Sequence, residues 1–217
     1  YRILDAANMI AFLFAGILLP MFSRMLSKKI SVENLVATTA NIMLTASLAL
    51  VAFCIIYARN ILSLLYPDDT NSELILIFSF LIASFPAYCI MYIYSTLLTA
   101  NWNISLLIKI ALFGSIFSIS LNVVLIHFLH ALGAAITCFS VQWVLGFIYI
   151  SYCVRNFQLS VDYKRIGKFI LVLLLMFILN VVLHYFNVPL LYAIGVNTCI
   201  FLFIVYSIKL WDRKIIE

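Results

Sequence analysis

Hydrophobic residues run without a charged interruption through the centre of this chain. Between Lys109 and Arg155 lie 45 residues with no Asp, Glu, Lys or Arg. One helix that crosses a bilayer needs about 20 apolar residues, so this run is long enough for two helices. Polar rings and a glycine interrupt the aliphatic residues at His127–Gly133. The pattern therefore predicts a helical hairpin that turns at this point.

Shorter apolar runs on both sides of the hairpin have the length of single membrane-crossing helices. Polar links divide the chain into seven predicted spans, at about Tyr1–Phe22, Leu35–Tyr57, Leu74–Leu98, Leu106–Phe128, Leu132–Val154, Phe169–Tyr185 and Leu190–Ile208. Charged residues make up only 10% of the chain, against about 25% in soluble domains. Only helices and closed barrels satisfy the backbone in lipid, and these runs are continuous rather than alternating. We therefore predict an all-α integral membrane protein, a polytopic helix bundle.

The basic residues fall unevenly on the two sides of this arrangement. Two of them, Arg2 and Arg59, lie on one side, and 11 lie on the other: Arg24, Lys28, Lys29, Lys109, Arg155, Lys164, Arg165, Lys168, Lys209, Arg213 and Lys214. Cytoplasmic links carry an excess of Lys and Arg, so we predict that the C-terminus is cytoplasmic. Orientation in the membrane thus explains the net charge of +5, and we expect no nucleic-acid partner.

Four motifs occur in the order and spacing of one known family. They are Tyr1-Arg2-Ile3-Leu4-Asp5 followed by Gly16-Ile17-Leu18-Leu19-Pro20, Ile61–Tyr66 before an acidic loop, Leu97–Asn101, and Asn122–Leu125 with Ala131–Ala135. Together they resemble the C-terminal half of the polysaccharide flippases of the MOP superfamily, which includes O-antigen exporters and MATE drug exporters. The resemblance covers nearly all of the chain. The link after Leu98 lacks the family's glycine and arginine, and the hairpin lacks its proline.

The resemblance implies the C-terminal lobe of a MATE-like fold with two extra helices. Residues 1–154 would form the lobe, 155–168 a cytoplasmic link, and 169–217 the extra helices and a cytoplasmic tail. The N-terminal lobe of the same protein would be the missing partner. The implied function is translocation of a lipid-linked oligosaccharide, attached to undecaprenyl diphosphate, across the bacterial cytoplasmic membrane by alternating access. No covalent chemistry and no cofactor is required.

Six polar residues in or near the spans are candidates for lining a substrate cavity. Arg2, Asp5 and Asn8 lie three apart on one stripe of the first helix, where they either contact a pyrophosphate or sugar or sit at the outer interface. Asn41 belongs to a polar stripe with Thr38 and Thr45, which lines the cavity or bonds a neighbouring helix. Asn122 is similar. Lys109 could meet a lipid diphosphate or extend to the interface.

Two other classes of function fit an apolar bundle of this size. A MATE-type drug or cation exporter would be expected to hold acidic residues inside its spans, and Asp5, near one end, is the only one here. A polytopic membrane enzyme of polysaccharide assembly would need a cluster of His, Asp, Glu or Arg in a sizeable loop, whereas the longest links have about 14 residues. The five cysteines have no metal-ligand spacing. We therefore predict a transporter, not an enzyme, with no metal.

Overall fold

The computed structural model describes residues 2–66, 71–159, 163–186 and 188–207, with side chains except at 163–165, 191 and 203–207. All regular structure in these ranges is helical. The helices are α1 (Arg2–Ser27), α2 (Glu33–Ile56), α3 (Ala58–Leu65), α4 (Ser72–Ala83), α5 (Phe85–Ala100), α6 (Ile104–Phe157), α7 (Tyr163–Tyr185) and α8 (Leu190–Ser207). The acidic loop at Pro67–Asp69 and the predicted tail from Lys209 lie outside the described residues.

In the described residues the seven predicted spans correspond to helices, and several of their limits differ from the prediction. Helix α1 continues through Pro20 to Ser27, so that Arg24 lies in its last turn and not in a loop. Helix α7 begins at Tyr163, six residues before the predicted start, and extends into the predicted link at 155–168. The predicted third span is α4 and α5 together, interrupted at Ser84, whose φ of −79° and ψ of −16° remain in the right-handed helical region. We call this interruption the bend. Proline two residues after this bend removes a helical N–H donor.

The predicted link between the second and third spans contains the short helix α3. Its residues Ala58 and Leu62 are buried, and Ile61 is half-buried, while Arg59 and Asn60 face outward. Apolar residues spaced three and four apart fall on one side of a helix. A helix is favoured over a loop when this apolar side can pack on a neighbouring surface. This surface is supplied by α2 and α4.

The central 45-residue run is a helical hairpin, as predicted. Helix α6 has one residue with non-helical backbone angles, His130, with φ of 48° and ψ of −124°. We call residues 104–129 the first leg and 131–157 the second leg. The two legs run antiparallel in contact, because Gly133 lies against the backbone of Leu125 and Gly114 lies against the side chain of Leu145.

A Cβ atom at Gly133 would overlap the backbone oxygen of Leu125 and come within 2.9 Å of the Ile126 nitrogen. The small residue therefore permits backbone-to-backbone approach beside the turn. Glycine has this role in membrane helices because packing between helices depends on close van der Waals contact.

Helix α2 is the centre of the bundle, since it packs against α4, α5 and α7 and also touches α3 and α8. Helix α1 packs on α5 through Ala7, Ala11 and Ala15, which are spaced four residues apart and buried. Helix α7 packs chiefly on α2 and α8, and its Val172 and Met176 are buried against Ala49 and Ala52 of α2. This docking of α7 is what shapes the site described below.

Large apolar side chains cover the outside of the bundle. Ile10, Leu13 and Ile17 of α1 and Ile116 and Val123 of the first leg of α6 are each more than 60% exposed. Five helical segments of the described chain are long and apolar enough to cross a membrane, and one of them is the hairpin α6. A soluble protein rarely exposes such continuous apolar surface. The fold is therefore compatible with a membrane helix bundle.

Candidate functional site

An open cleft of about 480 Å³ lies between α7 and the pair formed by α5 and the second leg of α6. Its floor is α2, through Val36, Ala37, Ala40, Asn41, Leu44 and Leu48. One wall consists of Pro86, Ile90, Tyr94, Trp143, Phe147, Ile150 and Val154. The other wall consists of Ile166, Phe169, Ile170 and Leu173. The cleft exists because α7 docks on α2 rather than filling the space beside α6.

The lining of the cleft is almost entirely apolar. Glu33 and Leu159 lie at one end, where α2 begins and the chain leaves α6. Deeper in the cleft the polar groups are the Asn41 amide and the polar tips of Tyr94 and Trp143. Ordered water needs two to four polar partners, which most of this lining does not offer. In a bilayer it would take up hydrocarbon, since an empty space loses the dispersion contacts of its walls.

The cleft extends along α2 for about the depth of one leaflet. Its floor runs from Val36 to Leu48, which corresponds to about 18 Å at a rise of 1.5 Å per residue. Half of the hydrocarbon core of a typical bilayer is about 15 Å thick. A single extended hydrocarbon chain that entered from the lipid would therefore be covered over one leaflet by protein.

The bend between α4 and α5 reaches the wall of the cleft. Pro86, which lines the cleft, has no N–H, so the carbonyl four residues before it, that of Ile82, lacks its ordinary helical donor. The indole Nε1–H of Trp143 donates to the next carbonyl along the chain, that of Ala83, at 3.2 Å. The Ser84 hydroxyl donates to the Leu81 carbonyl at 2.6 Å. Two side chains thus donate to backbone carbonyls at the bend.

Aromatic rings form a ladder along the second leg of α6. Trp143 lies between Phe139 and Phe147, with ring centroids 6.2 Å and 5.9 Å away, and Phe80 of α4 meets Phe139 edge-on. Such ring pairs add attraction beyond the burial of their area. The ladder fixes the indole plane of Trp143 at the cleft wall.

Asn41 is the one predicted site residue that lines the cleft. It is 8% exposed, and the neighbouring Thr45 is buried and donates its hydroxyl to the Ile42 carbonyl of its own helix at 3.1 Å. Thr38 likewise donates to the Asn34 carbonyl at 2.8 Å. The two threonines of the stripe therefore bond within α2, and the amide of Asn41 is the stripe's polar group in the cleft lining.

The three candidates on α1 lie apart from the cleft. Arg2 and Asp5 are exposed, and Asn8 is half-buried with its Oδ1 atom enclosed and without a hydrogen-bond partner among the described residues. Since α1 packs on α5 and contributes nothing to the cleft lining, the structure does not bring these residues to Asn41. Their contact with a substrate stays a prediction.

The two candidates on the first leg of α6 are also separate from the cleft. Lys109 is exposed, and Asn122 is half-buried and donates to the Ser118 hydroxyl of the same leg at 3.4 Å. Neither lines the cleft. The proposed cavity role of both residues stays a prediction.

Sequence reasoning missed the main wall of the cleft. The signal that could have found it is Trp143, a tryptophan in the middle of an apolar span and not at an interface. A buried indole N–H normally finds an acceptor, and a span-interior proline such as Pro86 leaves a nearby carbonyl without its helical donor. The acceptor in the structure is the adjacent carbonyl, that of Ala83. The pair of a central tryptophan and a span-interior proline could thus have predicted contact between these two helices.

A smaller pocket of about 190 Å³ lies between α2, α7 and α8. Beside it, the Asn197 side chain of α8 donates to the Oδ1 atom of Asn180 in α7 at 2.9 Å, and also to the Ala193 carbonyl at 2.8 Å. Both amides are buried. An interhelical amide pair of this kind holds two membrane helices together, so α7 and α8 form a unit that docks on α2.

Comparison of the chain with protein-family models, with curated proteins and with solved structures finds no match.

Proposed function

We propose that this protein is a flippase that moves a lipid-linked oligosaccharide across the bacterial cytoplasmic membrane, with the chain forming the C-terminal lobe of a MATE-like fold. The observation that supports the proposal is the open cleft between α2, α6 and α7, which is almost entirely apolar and about one leaflet deep. A flippase for a lipid must keep the hydrocarbon anchor in an apolar environment while the polar head crosses. The cleft offers such an environment beside the bundle.

The anchor would be a prenyl chain of the undecaprenyl-diphosphate type. Its first part would lie on Ala37, Ala40 and Leu44, between the ring of Phe147 and the side chain of Ile170. A much longer chain would continue into the surrounding lipid. Fully burying one hydrocarbon group the size of a leucine side chain contributes about 1.5–3 kcal/mol relative to water, but almost nothing relative to lipid. The cleft therefore guides the chain and contributes little affinity.

The polar head would be bound by groups outside the apolar lining. The amide of Asn41 is on the floor of the cleft, and Arg2 and Lys109 supply exposed cations. A diphosphate prefers charge-assisted hydrogen bonds from such cations. Because the residues of α1 lie away from the cleft, we propose that they meet the head group in a cavity shared with the N-terminal lobe of the same protein. Alternating access of the two lobes, with the C-terminus in the cytoplasm, would complete the transport cycle.

The experiment is a translocation assay on the complete gene product in proteoliposomes. The substrate is a polyprenyl-diphosphate oligosaccharide with a fluorescent sugar, and its arrival in the opposite leaflet is measured by quenching. Ala40→Trp places an indole on the cleft floor. Ala111→Trp, the matched control, places the same group on the exposed outer side of the first leg of α6.

We expect Ala40→Trp to slow translocation about tenfold, which corresponds to about 1.4 kcal/mol, and Ala111→Trp to leave it unchanged. Unaltered transport by both variants would exclude a role for the cleft. Failure of the unmodified protein to move this substrate, while it exports cationic drugs from the same vesicles, would instead favour the MATE-type exporter.

A further inference from the structure

One hydrogen bond connects the cleft to the bend between α4 and α5. Trp143 lines the cleft, and its indole N–H donates to the Ala83 carbonyl at the bend, at 3.2 Å. Pro86, three residues further along the bent span, lines the same cleft. A single side chain therefore touches both the space that a ligand would occupy and a backbone carbonyl at the bend.

We propose that Trp143 is a positioning residue that couples the filling of the cleft by hydrocarbon to the angle between α4 and α5. The proposal rests on the part of the proposed function that places a hydrocarbon chain in the cleft, and it does not require transport. No other described helix places an indole on both the cleft and a helix bend.

The coupling arises because water in the cleft would compete with the hydrogen bond from Trp143 to Ala83. With hydrocarbon on the face of the indole, the bond from Trp143 to Ala83 lies in a medium of low dielectric, where hydrogen bonds are strong. If water enters the cleft, it can bond both the indole N–H and the carbonyl, so that the direct bond loses its advantage. The bend then keeps the bonds that Ser84 makes to Leu81 and Tyr88 along its own span, but it loses its bond to the cleft wall. A filled cleft fixes the bend, and a wet cleft loosens it.

The first test measures the bend itself. Spin labels are attached to cysteines at Glu73 and Thr99, which are exposed near the two ends of the bent span. A straight helix would place these backbone positions about 39 Å apart, which pulsed electron paramagnetic resonance measures well. The more accessible native residues Cys138 and Cys199 are replaced by serine, while the other cysteines are buried.

In lipid nanodiscs we expect a narrow distance distribution for the parent and a distribution at least twice as wide for Trp143→Phe, which keeps a ring and loses the N–H. Trp102→Phe, at a site 83% exposed, is the control and should match the parent. If the Trp143→Phe distribution superimposes on that of the parent, the bond does not hold the bend and the proposal is overturned.

The second test changes the content of the cleft. Trp102→Phe and Trp211→Phe leave Trp143 as the sole tryptophan, and Ala40→Cys on the cleft floor is modified with either an alkyl or a quaternary-ammonium thiosulfonate. The Raman band that reports indole N–H hydrogen bonding is then recorded.

We expect the bonded signature with the alkyl group and its shift towards a solvated signature with the ammonium group, which carries water with it. Identical spectra for the two adducts would overturn the coupling. Because neither measurement involves translocation, a protein that fails to transport the oligosaccharide but passes both tests would contradict the proposed function and leave this inference standing.

Discussion

Replacing Gly133 by alanine tests the hairpin at its tightest contact. A Cβ atom at this position would overlap the backbone oxygen of Leu125 and lie 2.9 Å from the Ile126 nitrogen. Both neighbours are backbone atoms of a helix, so they cannot rotate away as a side chain could. The two legs of α6 would have to separate next to the turn at His130.

The magnitude follows from two opposing terms. Alanine is favoured over glycine inside a helix by about 1 kcal/mol. Overpacking a close contact costs about 1–3 kcal/mol, and the upper end applies where backbone must move. We therefore expect Gly133→Ala to lower the free energy of unfolding by about 2 kcal/mol.

Two matched substitutions separate these terms. At Gly16 a Cβ would meet nothing within 4 Å, so Gly16→Ala should stabilise the protein by up to about 1 kcal/mol. At Gly114 it would lie 2.9 Å from Cδ1 of Leu145, a flexible side chain that can turn aside. We expect Gly114→Ala to fall between the other two.

The assay is reversible unfolding of the purified protein in mixed micelles, followed by circular dichroism as denaturing detergent is added. The predicted order of stability is Gly16→Ala, then Gly114→Ala, then Gly133→Ala. The reasoning is refuted if Gly133→Ala is as stable as Gly16→Ala, because the legs of α6 would then not be in backbone contact at this point.

Two other predictions concern the helix pairs. Asn197→Leu removes the bond to Asn180 and should lower the free energy of unfolding by about 0.6–1.7 kcal/mol. The control is Thr198→Val, which should change this free energy little because the Thr198 hydroxyl bonds within α8. Equal effects of the two substitutions would contradict an interhelical role for Asn197. His130 has a φ of 48°, which glycine adopts without strain, so His130→Gly should be at least as stable as the parent. His130→Val should lose about 1–3 kcal/mol, and a valine variant as stable as the glycine variant would show that the turn is made elsewhere.

The hairpin and the spans could be predicted from the sequence because both depend on local composition. A 45-residue uncharged run between Lys109 and Arg155 has to turn once in a bilayer, and the interruption at His127–Gly133 is the only place for the turn. The structure places the non-helical residue at His130, inside that range. The hairpin and the spans can therefore be predicted without knowing which helices are in contact.

The cleft could not be predicted in this way, because it depends on which helix α7 packs against. The predicted spans contain many apolar residues that could cover either α2 or α6. The small residues Ala49 and Ala52 of α2 accept Val172 and Met176, and this fit leaves the space beside Phe147 empty. The apolar patterns of α2 and α6 are similar, so only packing in three dimensions decides which of the two helices α7 covers.

The candidate site was predicted only in part for the same reason. Polar residues are visible in a sequence, and Asn41 was found because it interrupts an apolar helix. The cleft is lined mainly by apolar residues, which resemble any others in the spans. Arg2, Asp5, Asn8, Lys109 and Asn122 are conspicuous in the sequence but lie away from the cleft.

Photocrosslinking tests most directly whether the cleft holds the tail of a lipid-linked oligosaccharide. The probe is a polyprenyl-diphosphate oligosaccharide with a photoreactive group in the first isoprene units, and crosslinked residues are mapped by mass spectrometry on the complete gene product in nanodiscs. We predict crosslinks concentrated at Ala40, Leu44 and Ile170, which line the cleft, and their loss when unlabelled substrate is added in excess. Equal labelling of Ile116 and Val123, which are exposed on the outer face of α6, with no competition, would contradict the proposal.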